Sequence, residues 1–288
     1  MSNFQSQKGQ ALLIVVLAMV VALTVGLSVV SRSITNLKNS QQEIDSQKAL
    51  SAAEAGVELA IKNGANVGNP NFSTSTSYQT SLATVSGDTA FLLNGNNKVS
   101  KDDAMYIWLT PYSTDPSRLF QDTDASGQND RWSGNLDLYW ENSSVTCDVS
   151  GNDNNYAALE VAVVWGSRAD PKVTRYVYDS CSNRVSQNHF TTPDSVNANN
   201  PISGITLQNE AKIPQITDGF LVRVVPLYAD SYIGVLGTPV SGGLVLPSQG
   251  TIITSIGTTD NNITRKLDVF QGYPEIPAEL FPFSLFWP

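Results

Sequence analysis

Residues 8–27 read KGQALLIVVLAMVVALTVGL, and the apolar character continues to Val30. Between Ala11 and Val30 there is no charged residue and no proline. About 20 helical residues rise roughly 30 Å, the thickness of a bilayer's hydrocarbon core. A secretory signal has a shorter apolar region, about 7–15 residues, closed by a small-x-small cleavage site. Leu27-Ser28-Val29 matches that site poorly. The stretch therefore predicts a membrane helix over 11–30.

The sequence after it predicts that the helix continues. Ser31 to Lys62 again contains no proline. Ile34, Leu37, Ile44, Ala52, Ala55 and Leu59 recur at three- and four-residue spacings, with doubled steps across positions 41 and 48. This is one face of a helix. Glu58 and Lys62 form a favourable i,i+4 pair, and Gly64 is a natural stop. One helix from Gln10 to about Lys62 would be on the order of 80 Å long. Ala49, Ala52, Ala53, Gly56 and Ala60 are small enough to let another surface approach closely. By itself the pattern describes a membrane anchor with a helical stalk.

Composition narrows the classes. The chain has 288 residues, of which 41% are hydrophobic and only 15% charged, and the net charge is −9. That is too apolar for a disordered chain and low in charge for a cytosolic enzyme. No basic patch interleaved with aromatic residues is present, so nucleic acid is not indicated as a partner.

Lys8-Gly9-Gln10, the apolar run and the block Ala49-Leu50-Ser51-Ala52-Ala53-Glu54-Ala55-Gly56 together resemble the N-terminal region of type IV pilin-like proteins, and the PilX-type minor pilins most. The resemblance covers roughly residues 1–62. It implies a short positive leader, residues 1–9, that a prepilin peptidase removes by cutting between Gly9 and Gln10. It also implies a helix held first in the inner membrane, N-terminus inside, and then in the core of a surface fibre. The partners implied are other pilin subunits, the peptidase and the pilus assembly platform. Most major pilins carry Glu as the fifth residue of the mature chain; here that position is Ile14. A carboxylate in an apolar helix costs several kcal/mol unless paired. PilX-like minor pilins and the tip pseudopilin of type II secretion also lack this Glu. The resemblance thus points to a minor, tip-proximal subunit; the alternative is family drift at this position.

Residues 64–88 are rich in Asn, Ser, Thr and Gly and read as a linker or loop. Beyond it, two-residue alternation predicts strands at 105–109, 136–140, 159–163, 173–178, 220–225, 251–256 and 263–270. Residues 257–262 turn the last two into a hairpin. No second helix is predicted after Lys62. The fold class expected is α+β: a long N-terminal transmembrane and stalk helix (10–63) packed on a mostly antiparallel β domain (89–288), a sandwich or curved sheet.

Cys147 and Cys181 follow two of these strands. In an extracytoplasmic domain they form a natural disulfide, worth roughly 3–4 kcal/mol by loop closure, although two unrelated thiols would also fit. Two cysteines and one histidine fall short of a zinc ligand set. Asp122, Asp124, Ser126, Gln128 and Asp130, with Gly127 sixth, resemble the first nine positions of a calcium loop, but Ser133 occupies the position of the usual closing Glu. Calcium completed by another carboxylate such as Asp137 is one reading; a solvated Asp-rich turn is the other. His189 lies in an Asn/Ser-rich stretch, and neither a nucleophile elbow nor a phosphate loop is present, so no enzyme is expected. The tail 273–288 combines prolines with Phe281, Phe283, Phe286 and Trp287. It reads as a strap on the domain or as an aromatic interface. The function expected is a minor pilin or pseudopilin-like fibre subunit; the alternative is a membrane-anchored, adhesin-like binding module with an uncleaved anchor.

Overall fold

The computed structural model describes residues 8–87, 89–112, 130–142, 147 and 155–274. The chain is α+β, with a long N-terminal helix, α1 (Lys8–Asn63), packed on antiparallel sheet. It divides into two compact units, residues 1–81 with 254–267, and residues 82–253 with 268–288.

In the first unit α1 ends where the sequence places its stop. Gly64 takes the left-handed conformation (φ 61°), and its N–H donates to the Ala60 carbonyl at 2.8 Å. The chain then enters β1 (Gly68–Ser73) and β2 (Thr76–Thr84). These lie in the stretch 64–88 expected to be a linker. Thr76, Tyr78 and Thr80 alternate inward, and the Thr80 hydroxyl bonds the Val67 N–H and carbonyl across the pair. A strand whose inner face is threonine and tyrosine has the composition of a loop, which is why its period escapes a hydropathy reading. The sheet is completed by β11 (Gly250–Thr259) and β12 (Thr264–Gly272), in the order β1-β2-β11-β12. The expected hairpin joins the last two, with the Thr259 N–H donating to Ile263.

The second unit is built round β9 (Ile205–Leu227), 23 residues long. Its first half pairs with β5 (Trp132–Asn142) and β8 (Asn200–Ile202). Its second half pairs with β4 (Met105–Trp108) and β6 (Ala158–Ser167). The sheet order is β3-β10-β5-β9-β6-β7, where β3 is Phe91–Leu92, β7 Asp170–Tyr178 and β10 Ile233–Pro239. Leu136, Leu138 and Trp140 of β5 point into the main core with Ile107, Leu159 and Val222, and the Trp140 indole donates to the Ala157 carbonyl at 3.0 Å. Tyr139, between them, packs on the opposite face with Leu92, Ile202 and Leu207. Every strand predicted by alternation is present.

A second helix, α2 (Ser182–Asn188), corrects the expectation of none after Lys62. Seven residues are too short to show a period. Side-chain contacts hold it: the Arg184 guanidinium donates twice to the buried Asp179 carboxylate just before the helix (2.8 and 2.9 Å) and lies over the Tyr228 ring. His189, read as a loop residue, takes the left-handed conformation that ends this helix.

The sheet edges are blunted. β1 contains Pro70 and an irregular register, β3 has two residues, β7 carries Pro171 and Lys172, and β12 carries Arg265, Lys266 and Asp268. Each device discourages pairing with another chain's strand.

Burial pushes the Tyr139 and Tyr178 phenols up to about 12, from an ordinary value of 10. For Tyr139 the charges of Glu210 and Asp137 add to the effect, and for Tyr178 the charge of Asp194. The folded chain therefore keeps these protons after the unfolded chain loses them. The stability they contribute is complete below about pH 10 and disappears as pH rises toward 12. Tyrosinate absorbance should show a late-titrating group that Tyr139→Phe diminishes, and the denaturation midpoint should fall over that same interval.

Candidate assembly helix

Three segments of α1 differ in their surroundings. In the first, every large apolar side chain from Leu12 to Val30 is more than half exposed, from 53% at Val16 to 71% at Leu12 and Met19. There are fourteen of them. At about 1.5 kcal/mol or more for covering each, water would leave on the order of 20 kcal/mol unclaimed. That exceeds the net stability of a typical domain. The helix is long and apolar enough to cross a membrane.

The second segment, residues 31–44, is exposed all round. It carries Arg32 and Lys38, and exposed Ile34, Leu37 and Ile44. These three belong to the helical face that the three- and four-residue spacing marks, and that face is not the one that packs. Leu59 is exposed too, and only Ala52 of the stripe is buried, with Ala55 intermediate.

The third segment, from Asp45 onward, packs through a neighbouring stripe: Asp45, Ala49, Ala52, Ala53, Gly56, Val57 and Ala60, all buried. Its spacing is as regular as the other's, but its side chains are small. The backbone of β11 enters the groove they leave. A Cβ on Gly257 would collide with the Ala49 carbonyl and sit 2.8 Å from the Ala53 nitrogen. A Cβ on Gly56 would meet Ser255 and approach Tyr78 and Thr80 at 3.0–3.1 Å. Polar bonds fix the register at the upstream end. The Asp45 carboxylate, 4% exposed in its residue, accepts from Asn261 Nδ2 (2.7 Å) and Gln41 Nε2 (3.0 Å), with Lys48 Nζ at 3.9 Å. Arg265 Nε donates to Ser46 Oγ at 2.8 Å. Asp45, Gly257 and Asn261 are the residues the sequence reading misses. The signal available was the stripe of small residues extended one turn back to Asp45.

The other expected site residues fall as follows. Gly9 and Gln10 lie in the first turns of α1. Ile14 is 64% exposed within the apolar segment. Cys147 and Cys181 are joined in a disulfide with a Cα–Cα distance of 5.6 Å, as expected. Asp122, Asp124, Ser126 and Gln128 lie outside the described residues, as does the tail from 275; Asp130 is partly buried just before β5. Asp137 faces Lys212, Glu210 and Asp194; burial, more than these charges, raises its carboxyl above the usual range. Among the described residues no three His, Cys, Asp or Glu side chains converge to hold a metal.

No family model, curated protein or solved structure matches the chain.

The packing makes opposite predictions for two neighbouring positions on β11. Gly257→Ala should lower the stability of the full chain by about 2 kcal/mol or more, because backbone must move. Ser255 Oγ is buried without a hydrogen bond among the described residues, so Ser255→Ala should leave stability unchanged or raise it by about 1 kcal/mol. Thermal unfolding in detergent measures both, and the reverse order contradicts the close approach.

Proposed function

We propose that this chain is a minor pilin-like structural subunit, cleaved between Gly9 and Gln10 and assembled into a type IV pilus or related surface fibre through α1. The observation that carries the reading is the continuity of one helix, Lys8–Asn63, from a charge-free exposed half to a half locked on sheet. A helix built this way transmits position. Whatever holds Leu12–Val30 also holds the sheet bonded to Asp45–Ala60. In the bilayer that partner is lipid, and in a fibre it is the apolar half of neighbouring subunits. The blunted sheet edges support the same reading, since they leave the helix as the surface for polymer contact.

The likeness of Lys8-Gly9-Gln10 and of residues 49–56 to the pilin N-terminal region adds the processing step. Cleavage exposes the amine of Gln10 at the start of the apolar run. Ile14 gives that run no carboxylate to pair with a neighbour's amine, which favours a place at or near the fibre tip, where no subunit lies above. The β units face outward, and the disulfide suits an oxidising exterior.

Mass spectrometry of the N-terminus of the membrane-extracted protein, with and without a prepilin peptidase, tests this. The expected chain begins at Gln10, and only when the peptidase is present. A chain beginning at Met1 or Ser2 under both conditions overturns the reading and leaves an anchored binding module with an uncleaved helix.

A further inference from the structure

The second unit contains a cleft of about 220 Å³ that the assembly role leaves unused. None of its lining residues among those described is charged, in a chain whose net charge is −9. Phe91, Met105, Tyr106, Phe270 and Tyr273 supply apolar and aromatic walls, with Trp108 beneath. Trp108 is 3% exposed and is held by its backbone: its N–H donates to Gln249 Oε1 (2.8 Å), and Gln249 Nε2 donates to its carbonyl (2.9 Å). The Tyr273 ring stacks on Tyr112, with centroids 4.4 Å apart, and stands edge-on to Trp108.

The rim is shaped by glycines. A Cβ on Gly95 would strike Phe270, one on Gly250 would lie 2.9 Å from its ring, and one on Gly272 would lie 3.1 Å from it. Gly95 and Gly250 also have positive φ (59° and 145°). The half-buried Phe270 ring therefore occupies a seat that side chains at these positions would fill. Polar capacity is sparse. Asn94 spends its Nδ2 on the Lys98 carbonyl, and its Oδ1 has no bond among the described residues. The Tyr273 hydroxyl has none there either.

We propose that this cleft binds one neutral sugar ring, the end residue of an uncharged glycan. The absence of charge among the described lining residues disfavours phosphate, carboxylate and ammonium ligands, which would be desolvated without a partner. A purely apolar ligand would leave Asn94 Oδ1 and the Tyr273 hydroxyl unsatisfied. A sugar ring answers both: its C–H face packs on the aromatic rings, and its hydroxyls donate to Asn94 and exchange a bond with Tyr273. The volume lies below the range of drug-sized sites, about 300–1,000 Å³, and accommodates one ring. The inference is independent of processing at Gly9 and stands or falls by itself.

Saturation-transfer NMR on the full chain in lipid nanodiscs, free of sugar detergents, is the test. The probes are the methyl glycosides of glucose, galactose and N-acetylglucosamine, with N-acetylneuraminic acid as the anionic comparison and α-cyclodextrin as a glycan without a chain end. At least one neutral glycoside should receive saturation, with a Kd in the millimolar range, on the order of 1 mM. Sialic acid and cyclodextrin should receive none. Phe270→Leu, which keeps apolar bulk and loses the π face, should weaken binding about tenfold, equivalent to about 1.4 kcal/mol. Tyr273→Phe, which removes only a hydroxyl, should weaken it several-fold. Near-ultraviolet circular dichroism verifies that each variant is folded. No transfer to any neutral glycoside overturns the proposal. So does equal transfer to sialic acid or cyclodextrin, or undiminished binding in both folded variants.

Discussion

Everything in the first unit depends on how closely a helix and a strand can approach. Ala49 and Ala53 on α1 and Gly257 on β11 bring backbone against backbone, nearer than any pair of ordinary side chains permits. The contact buries little apolar area per residue, so its strength does not come from large hydrophobic groups. It comes from dense dispersion contact and from polar bonds that only this separation allows: Asn261 to Asp45, and Arg265 to Ser46. Asp45 is the telling residue. A carboxylate that deeply placed is tolerated because donors surround it: Gln41 and Lys48 on the helix itself, and Asn261 on the turn that the close approach brings to it. Moving the strand out by the width of one methyl group weakens the packing and strands the charge together.

Such a joint has a mechanical consequence for the rest of α1. Downstream of Asp45 the helix cannot turn or slide without breaking hydrogen bonds. Upstream, residues 12–44 are exposed, with no packing partner among the described residues outside the helix itself. The helix is thus fixed at one end and unsatisfied at the other, with the imbalance concentrated in the charge-free run to Val30. A chain that ended its interactions with itself would cover those fourteen side chains. Here they are carried on a rigid element, and the sheets, which are the other surfaces able to recruit a second chain, have bulges, prolines, charges or short strands at their edges. The strand edges thus discourage pairing, while the apolar run of the helix stays uncovered.

The legible and illegible parts of the sequence divide along the same physical line. The long apolar helix was readable from its unbroken charge-free run and its end from Gly64, and the strands at 136–140, 159–163 and 220–225 because burial in them is achieved by large apolar side chains with a clear period. The hairpin of β1 and β2 was not, because its inner face is Thr76, Tyr78 and Thr80, and those residues look like loop by composition. On α1 the small residues Ala49, Ala52, Ala53, Gly56 and Ala60 were legible as a place of close approach, whereas the face of larger apolar residues was no guide to what packs. Ile34, Leu37, Ile44 and Leu59 carry more hydropathy than Ala49, Ala53 and Gly56, yet the small residues face the sheet and the large ones face out. Hydropathy ranks how much a residue gains from being covered. It does not say whether this chain does the covering.

That distinction bears on the two kinds of position along α1 where a carboxylate matters. At Asp45 the helix spends a charge where Asn261, Gln41 and Lys48 can answer it, within the chain. At Ile14 it spends none, in a segment where only lipid or another molecule could answer. An apolar residue there makes no demand on a neighbour's geometry, so the segment can be satisfied equally by a bilayer or by the flanks of other helices, and it fixes no register with either. A carboxylate at the same place would require one particular partner above it. Under the proposed assembly role, the chain accepts neighbours at its sides and needs none over its N-terminus, and this is the situation of a subunit that begins a fibre.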